Sequence, residues 1–340
     1  MQASEKPVII KNRPLFHLLA SFNLRSLEIT WSSSVQMGED HLRKGQEIPL
    51  HHSLLAGCLS GLSARFVTAP LDTVKIRLQL RLTNDISHRR IIPLVRSMIH
   101  EEGLRSLWKG NIPGVGLYVL YGSTQFTAFS TLNKALSPNQ WPAQIHTCVV
   151  GALAGSCSAV ASYPFDVMRT RFIANKNRAF ATVLGTTLDI WRHEGLPGFF
   201  KGVSSAVVSI GVASSSIFAT YETVKIFCEE SSYRDSPFIK LLASSSSVIA
   251  GVVSKTLVFP IDTVRKRLQI INSRQLQHLT QGNEAYGAYK GTNFGQLALK
   301  VVEKEGFGAL YRGFTLGVMK SIPSTMVSIG IYEWTLRHVV

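Results

Sequence analysis

Pro70-Leu-Asp72-Thr-Val-Lys75-Ile-Arg77, Pro164-Phe-Asp166-Val-Met-Arg169-Thr-Arg171 and Pro260-Ile-Asp262-Thr-Val-Arg265-Lys-Arg267 are one octapeptide written three times. The prolines stand 94 and 96 residues apart. A second motif follows each. It reads Glu102-Gly103 then Trp108-Lys109-Gly110, Glu194-Gly195 then Phe200-Lys201-Gly202, and Glu305-Gly306 then Tyr311-Arg312-Gly313. Its internal spacing never changes. Two motifs in one order, three times over, mark an internally triplicated chain, and such self-similarity decides the fold before local propensity does.

Each repeat has one layout. An apolar stretch leads into the proline (52–69, 147–163, 241–259). A basic segment with a short helical pattern follows, then the glycine motif, then a second apolar stretch (112–132, 203–227, 314–336). Each of the six stretches has about the length that crosses a bilayer as a helix. Gly57 with Gly61, Gly151 with Gly155, and Ser247 with Gly251 put small residues one turn apart, which allows close helix contact in lipid. A soluble helical solenoid would also repeat, but its helices would carry a charged face. Residues 112–133 and 203–221 hold no charged side chain.

Composition agrees. Of 340 residues, 45% are hydrophobic and only 17% charged, against about 25% in ordinary soluble domains. The net charge is nevertheless +15, from 36 Lys+Arg and 21 Asp+Glu. A disordered chain would lack the apolar residues. A membrane protein with basic loops fits, as does a nucleic-acid binder, but the basic helix face with interleaved aromatics that such a binder needs is missing. No nucleophile–base pair, phosphate loop or metal-ligand spacing suggests an enzyme or a metal site, and no cofactor is expected. Cys58, Cys148, Cys157 and Cys228 form no CxxC pair and are read as small buried residues.

The expected organisation is an N-terminal extension at 1–50, then repeats at 51–137, 146–229 and 239–340. Residues 1–36 mix Lys6, Lys11, Arg13 and Arg25 with Glu5 and Glu28, which suits neither a transit peptide nor a signal peptide. They are expected to be dispensable: a protein starting at Met37 should reach its membrane and function normally, and loss of import would refute this.

The octapeptide pattern Px[DE]xx[KR]x[KR], with its Glu-Gly…aromatic-basic-Gly partner, resembles the mitochondrial carrier family over about 290 residues. The resemblance implies an all-α membrane protein of the mitochondrial inner membrane. Six transmembrane helices would surround a central cavity in threefold pseudosymmetry, with short matrix-side helices and two alternating gates. The residues suit a gate on their own terms. Asp at Pro+2 and the base at Pro+5 share a helix face, and ionisable groups inside a membrane protein face each other or water. The family implies the matrix-gate pairs Asp72–Arg169, Asp166–Arg265 and Asp262–Lys75, braced by Gln79 and Gln269; the second repeat has Ile173 instead. Of the family's cytoplasmic [FY][DE]xx[KR] motif, only Tyr221-Glu222-x-x-Lys225 is whole. Phe129-Ser130-x-x-Asn133 lacks both charges, and Tyr332-Glu333-x-x-Leu336 lacks the base. That gate should be weak. The family also implies cardiolipin at Lys109-Gly110, Lys201-Gly202 and Arg312-Gly313, just before helix N-termini that favour anions, and a monomer.

Arg65 lies seven residues before Asp72, and Lys255 seven before Asp262. Each shares the face of its aspartate. Lys320 interrupts an otherwise uncharged stretch thirteen residues before Glu333, the family's contact spacing. Three interior bases with no evident acidic partner point to an anionic substrate. Tyr118, Tyr121 and Gln125 line one face of the second stretch, and Ser209 and Ile210 stand at the family's central contact position. Trp108-Lys-Gly-Asn-Ile-Pro, Tyr118-Val-Leu-Tyr-Gly-Ser-Thr-Gln125 and Lys320-Ser-Ile-Pro-Ser-Thr resemble the family members that carry thiamine pyrophosphate. That implies import into the matrix in exchange for nucleotides. The pyrophosphate would take the bases. The thiazolium could lie on a tyrosine face, worth about 0.5–2 kcal/mol. A carrier of nucleotides or coenzyme A is the alternative.

Overall fold

The computed structural model describes residues 50–81, 91–136, 143–175, 182–230, 236–271, 289 and 291–339. The N-terminal extension lies outside them apart from Leu50. Among the described residues every regular element is helical. The first repeat contributes α1 (Leu50–Leu80), α2 (Ile91–Glu102), a 3-10 turn (Leu104–Trp108) and α3 (Asn111–Ala135). The second contributes α4 (Ala143–Ala174), α5 (Val183–Phe199) and α6 (Val203–Glu230). The third contributes α7 (Pro237–Ser244), α8 (Ser246–Ile270), α9 (Phe294–Glu305), a 3-10 turn (Phe307–Tyr311), α10 (Phe314–Met319) and α11 (Ser321–Val339).

Pro70, Pro164 and Pro260 lie inside α1, α4 and α8. Each removes one hydrogen bond from its helix, the usual cause of a kink. Pro323 likewise cannot donate to the carbonyl of Met319, and the sixth long segment is interrupted at Lys320. α3 packs along α4, α6 along α8 and α11 along α1, while α1, α4 and α8 meet one another at the proline motifs. The six long segments thus enclose an interior that narrows at the motif end.

Four segments are long and apolar enough to cross a membrane: 145–174, 203–228, 246–270 and 307–338. The first and second long helices fall short of the expected apolarity. α1 carries His51, His52 and Arg65, and α3 carries Tyr118, Tyr121, Gln125 and a row of hydroxyls. Arg65, Tyr118, Tyr121 and Gln125 are the polar groups expected inside the cavity. The outer face is apolar, with Leu62, Phe66, Phe126, Val248, Met326 and Trp334 all exposed. A contiguous apolar exterior is what lipid contact requires.

The apolar cores gather at the motif end. Leu94 and Met98 of α2 pack on Val74 and Leu78 of α1. Ile190 and Phe199 of the α5 segment pack on Tyr163 and Val167 of α4. Leu297 and Val301 of α9 pack with Val264, Leu268 and Ile270 of α8. Each short helix therefore clamps its own motif helix. The small-residue pairs behave differently from expectation. Gly155 lies tight against α6, since a Cβ there would stand 3.3 Å from Ile210, whereas Gly151 and Gly251 face open space. Cys58 and Cys157 are exposed and Cys148 half-buried; only Cys228 is buried as expected. The reason is the same for both departures: in a membrane protein the apolar face looks outward.

Candidate functional site

Two of the three expected gate pairs are closed at the motif end. Arg169 Nη2 lies 2.7 Å from Asp72 Oδ2, joining α4 to α1. Arg265 binds Asp166, joining α8 to α4. At the third position Asp262 is the main anion acting on Lys75, whose Nζ also stands 5.1 Å over the Phe259 ring, and Asp262 Oδ1 lies 4.0 Å from Arg265 of its own helix. Gln269 Nε2 donates to Asp166 Oδ2 at 2.8 Å and to the Tyr163 hydroxyl at 3.2 Å, so it touches one of the expected pairs. Gln79 instead donates to the Thr263 hydroxyl at 3.2 Å.

Sequence reasoning missed Lys266. Its ammonium donates to Asp166 Oδ1 at 3.0 Å, Thr170 Oγ1 at 2.9 Å and Gln269 Oε1 at 3.3 Å. It occupies the variable place of the octapeptide, where the other repeats have Ile76 and Thr170, so the repeat pattern carries no signal for it. Asp166 therefore holds two cations and an amide.

The last arginine of each octapeptide was also left without a role. Arg77 reaches Glu102, with Nη2–Oε2 at 2.8 Å, and its Nε donates to the Ile173 carbonyl at 3.1 Å. Arg171 reaches Glu194 at 2.8 Å and the Gln269 carbonyl at 2.9 Å. Arg267 reaches Glu305 at 3.1 Å and the Gln79 carbonyl at 3.1 Å. Each arginine thus ties its own short helix to the Pro+9 carbonyl of the next repeat, and the third returns to the first. The legible signal was an arginine and a glutamate recurring together in all three repeats. Bidentate arginine–carboxylate pairing is the strong form of this contact.

The same glutamates reach the bases expected to hold lipid. Lys109 binds Glu102, and Arg312 Nη1 lies 2.7 Å from Glu305 Oε2. Burial raises the Glu102 carboxyl, but hydrogen bonds from Arg77 and Lys109 outweigh it and hold the group below its usual range. Tyr289 donates to Glu305 at 3.1 Å, and burial together with that carboxylate pushes its hydroxyl up to about 12. Lys201 is pushed down to about 8 by burial, with Glu194 opposing the shift. Gly110, Gly202 and Gly313 have φ of 79°, 83° and 84°. In this left-handed region a side chain is strained. A Cβ at Gly110 would also lie 2.7 Å from Ile173. Each glycine turns the chain directly into a long segment.

Two of the three interior bases do have an acidic partner, contrary to the expectation. Lys320 Nζ lies 2.9 Å from Asp72 Oδ1, and Arg65 Nη1 lies 3.5 Å from Asp72 Oδ2. Asp72 thus gathers Arg169, Lys320 and Arg65. The partner was hidden because Lys320 is 248 residues away and arrives only when α11 packs on α1. The Arg65 guanidinium also covers the Tyr118 ring at 4.4 Å. Lys255 donates to the Gly317 carbonyl. Tyr121 is buried, its hydroxyl beside Gly155 and Ile210, and Gln125 is half-buried nearby on α3. Ser209 is buried and donates to the Ala206 carbonyl of its own helix at 2.9 Å. Ser328 Oγ lies 3.5 Å from Ser60 Oγ, at the α11–α1 contact.

The far end is different. Glu222 is half-buried and Lys225 exposed. Glu333 meets Arg337 of its own helix at 3.9 Å. Leu336, where a base would complete the motif, packs with Ala56 and Tyr332. Among the described residues, no ion pair joins Glu222, Lys225 or Glu333 to a different helix. One end is therefore locked by buried cross-helix pairs and the other is not.

The chain belongs to the mitochondrial carrier family: it matches the family described as mitochondrial carrier protein over residues 46–140, 140–232 and 235–340. It is a helical transport protein of a mitochondrial membrane. Among relatives, it is similar to the mitochondrial thiamine pyrophosphate carrier 1 of Saccharomyces cerevisiae (strain ATCC 204508 / S288c), with 44% identity over 306 residues, 88% of this chain and 98% of that protein. The proteins of the same description from Kluyveromyces lactis and Eremothecium gossypii are each 43% identical, over 88% and 90% of this chain and 94% and 95% of their own lengths.

Proposed function

We propose that this chain imports thiamine pyrophosphate into the matrix across the mitochondrial inner membrane by alternating access, in exchange for nucleotides. The observation that carries the reading is the 44% identity to a thiamine pyrophosphate carrier over nearly its whole length. The interior chemistry supports it. Lys320 and Arg65 are buried bases that can turn from Asp72 to a phosphate group, and Lys255 stands close to α10. Tyr118, Tyr121, Gln125, Ser209 and Ile210 offer a partly aromatic wall for the rest of the substrate. The converging end is the matrix gate, with Asp72, Arg169, Asp166, Arg265, Asp262 and Lys75 as its charges. Glu222, Lys225 and Glu333 belong to the cytoplasmic gate. One copy encloses the cavity, so the monomer is the working unit. Uptake into liposomes, screened across thiamine pyrophosphate, nucleotides and coenzyme A, tests the substrate; uptake of coenzyme A alone would refute it.

Without substrate the cytoplasm-open state should dominate, because the ligand-free equilibrium follows the difference between the two gates. Cysteines placed along the cavity should label mainly from the cytoplasmic side; equal labelling from both sides contradicts this.

Asp166→Asn should reduce transport strongly. It takes from Lys266 an anion at 3.0 Å and from Arg265 the nearer of its two aspartates, and breaking a buried pair costs about 3–5 kcal/mol. An Asp166/Arg265 charge swap should recover little by itself, since the new arginine would face the Lys266 ammonium. With Lys266→Gln added, uptake should return in part. No rescue in either background would rule out the pairing.

Cardiolipin is assigned to the three helix starts after Gly110, Gly202 and Gly313. Lys201 is the base most sensitive to pH there. Its attraction for an anionic head group is present below about pH 8 and lost above it as the lysine gives up its proton. The thermal stabilisation that cardiolipin confers should therefore shrink between pH 7 and pH 9, and shrink less in Lys201→Arg.

A further inference from the structure

Asp72 differs from the other gate carboxylates in the company it keeps. One oxygen accepts from Lys320 at 2.9 Å, and the other from Arg169 at 2.7 Å and from Arg65 at 3.5 Å. Only Arg169 belongs to the gate. Lys320, at the junction of α10 and α11, and Arg65 of α1 are the bases assigned above to the substrate. Asp166 is held differently. It meets Arg265, Lys266 and Gln269 on the motif segment of α8. Both carboxylates are buried, and a buried carboxylate is stable only while its charge is compensated.

We propose that Asp72 is the resident anion of the substrate site. In the substrate-free protein its carboxylate occupies Lys320 and Arg65. An entering phosphate group takes those two bases and leaves Arg169 as the cation hydrogen-bonded to Asp72. Arg65 goes first, since 3.5 Å is at the limit of a hydrogen bond. Its departure also uncovers the Tyr118 ring that it caps at 4.4 Å. The α1–α4 edge of the gate then becomes the weak one, while the α4–α8 edge keeps all its contacts. Anion binding and gate release are thereby one event at one carboxylate. This rests on the assignment of Lys320 and Arg65 to the substrate's phosphates.

The test is the affinity of the full-length detergent-solubilised protein for inorganic pyrophosphate, measured for two pairs of variants. Asp72→Asn and Arg169→Gln break the same gate link, so a purely structural role would make them act alike. Here they should act oppositely. Asp72→Asn frees two bases and should tighten binding on the order of tenfold, the equivalent of one ordinary charge-assisted contact. Arg169→Gln leaves Asp72 wholly to Lys320 and Arg65 and should weaken binding by a similar factor. Asp166→Asn and Arg265→Gln change net charge identically at the other edge and should stay within about twofold of the unaltered protein, because no substrate base is released there. Equal shifts at both edges would mean that only cavity charge matters and would overturn the proposal. So would shifts of the same sign for Asp72→Asn and Arg169→Gln. If Asp72→Asn does not fold, Arg169→Gln against Arg265→Gln decides the matter alone: weakening in the first and not the second is expected, and no difference overturns it. If the unaltered protein binds pyrophosphate no better than Lys320→Gln does, the phosphate assignment itself fails, and the proposal with it; tight binding by the unaltered protein with no variant effect fails the proposal only.

Discussion

Lys320→Ala should abolish thiamine pyrophosphate uptake while the protein still inserts. An uncompensated lysine within a membrane segment costs about 2.5–3.5 kcal/mol by insertion scales, so such a residue is kept for a purpose. A lysine could escape the cost by reaching out to the interface. The structure places this one inward instead: it is 7% exposed, with its ammonium 2.9 Å from Asp72. Removing it takes the proposed phosphate ligand from the interior and one of three cations from Asp72. The gate link to Arg169 survives, so the loss should fall on substrate binding first. Lys320→Arg should keep a fraction of uptake, because the charge remains while the planar head group directs its hydrogen bonds differently. Uptake by reconstituted protein, beside a thermal unfolding curve for each variant, checks both. Near-normal uptake by folded Lys320→Ala would remove the residue from the site.

Arg267→Leu should be the most damaging change to stability among the three ring arginines. Arg267 is fully buried, as is Arg171, but its partner Glu305 gathers more than either counterpart. Besides Arg267, Glu305 accepts from Arg312 at 2.7 Å and Tyr289 at 3.1 Å, and Arg312 in turn holds the Arg81 carbonyl at 2.6 Å. Losing the guanidinium leaves a buried carboxylate short of its strongest donor and the Gln79 carbonyl without its own. Breaking a buried pair in this way costs about 3–5 kcal/mol, which lowers the melting temperature by roughly 10 °C in a protein above 150 residues. Arg267→Lys should recover only part, since an ammonium cannot serve the carboxylate with two parallel bonds and the carbonyl at once. Melting temperatures of Arg77→Leu, Arg171→Leu and Arg267→Leu, compared in one detergent, check the order. A smaller loss at Arg267 than at Arg77 would show that Glu305 does not concentrate the ring's stability.

Much of this was open to a reader of the sequence. The three octapeptides, the Glu-Gly partners and the apolar stretches depend on spacing along the chain, and spacing survives in one dimension. They gave six long helical segments, the prolines inside three of them and two of the cross-helix ion pairs. The failure of the cytoplasmic motif was equally plain, because Ser130, Asn133 and Leu336 stand where charges would be needed. Even the arginine–glutamate ring left a trace as a co-occurrence, though nothing in the spacing says that the two residues touch.

What the tertiary structure decided is who shares a charge with whom. Lys266 was invisible because repeat logic discards the position where repeats differ. Lys320 and Arg65 looked unpartnered because their common carboxylate lies on another helix for one and two turns away for the other. Tyr118 looked like an open platform and is covered by Arg65. Lys109 and Arg312 looked like free bases for lipid and are held by Glu102 and Glu305. The physical reason is common to all four. Burial makes an isolated charge costly, so each buried charge takes whatever partner the fold brings within reach. Periodicity along the chain fixes which helices form and which faces are polar, but the distance between two charges on different helices exists only once those helices have packed.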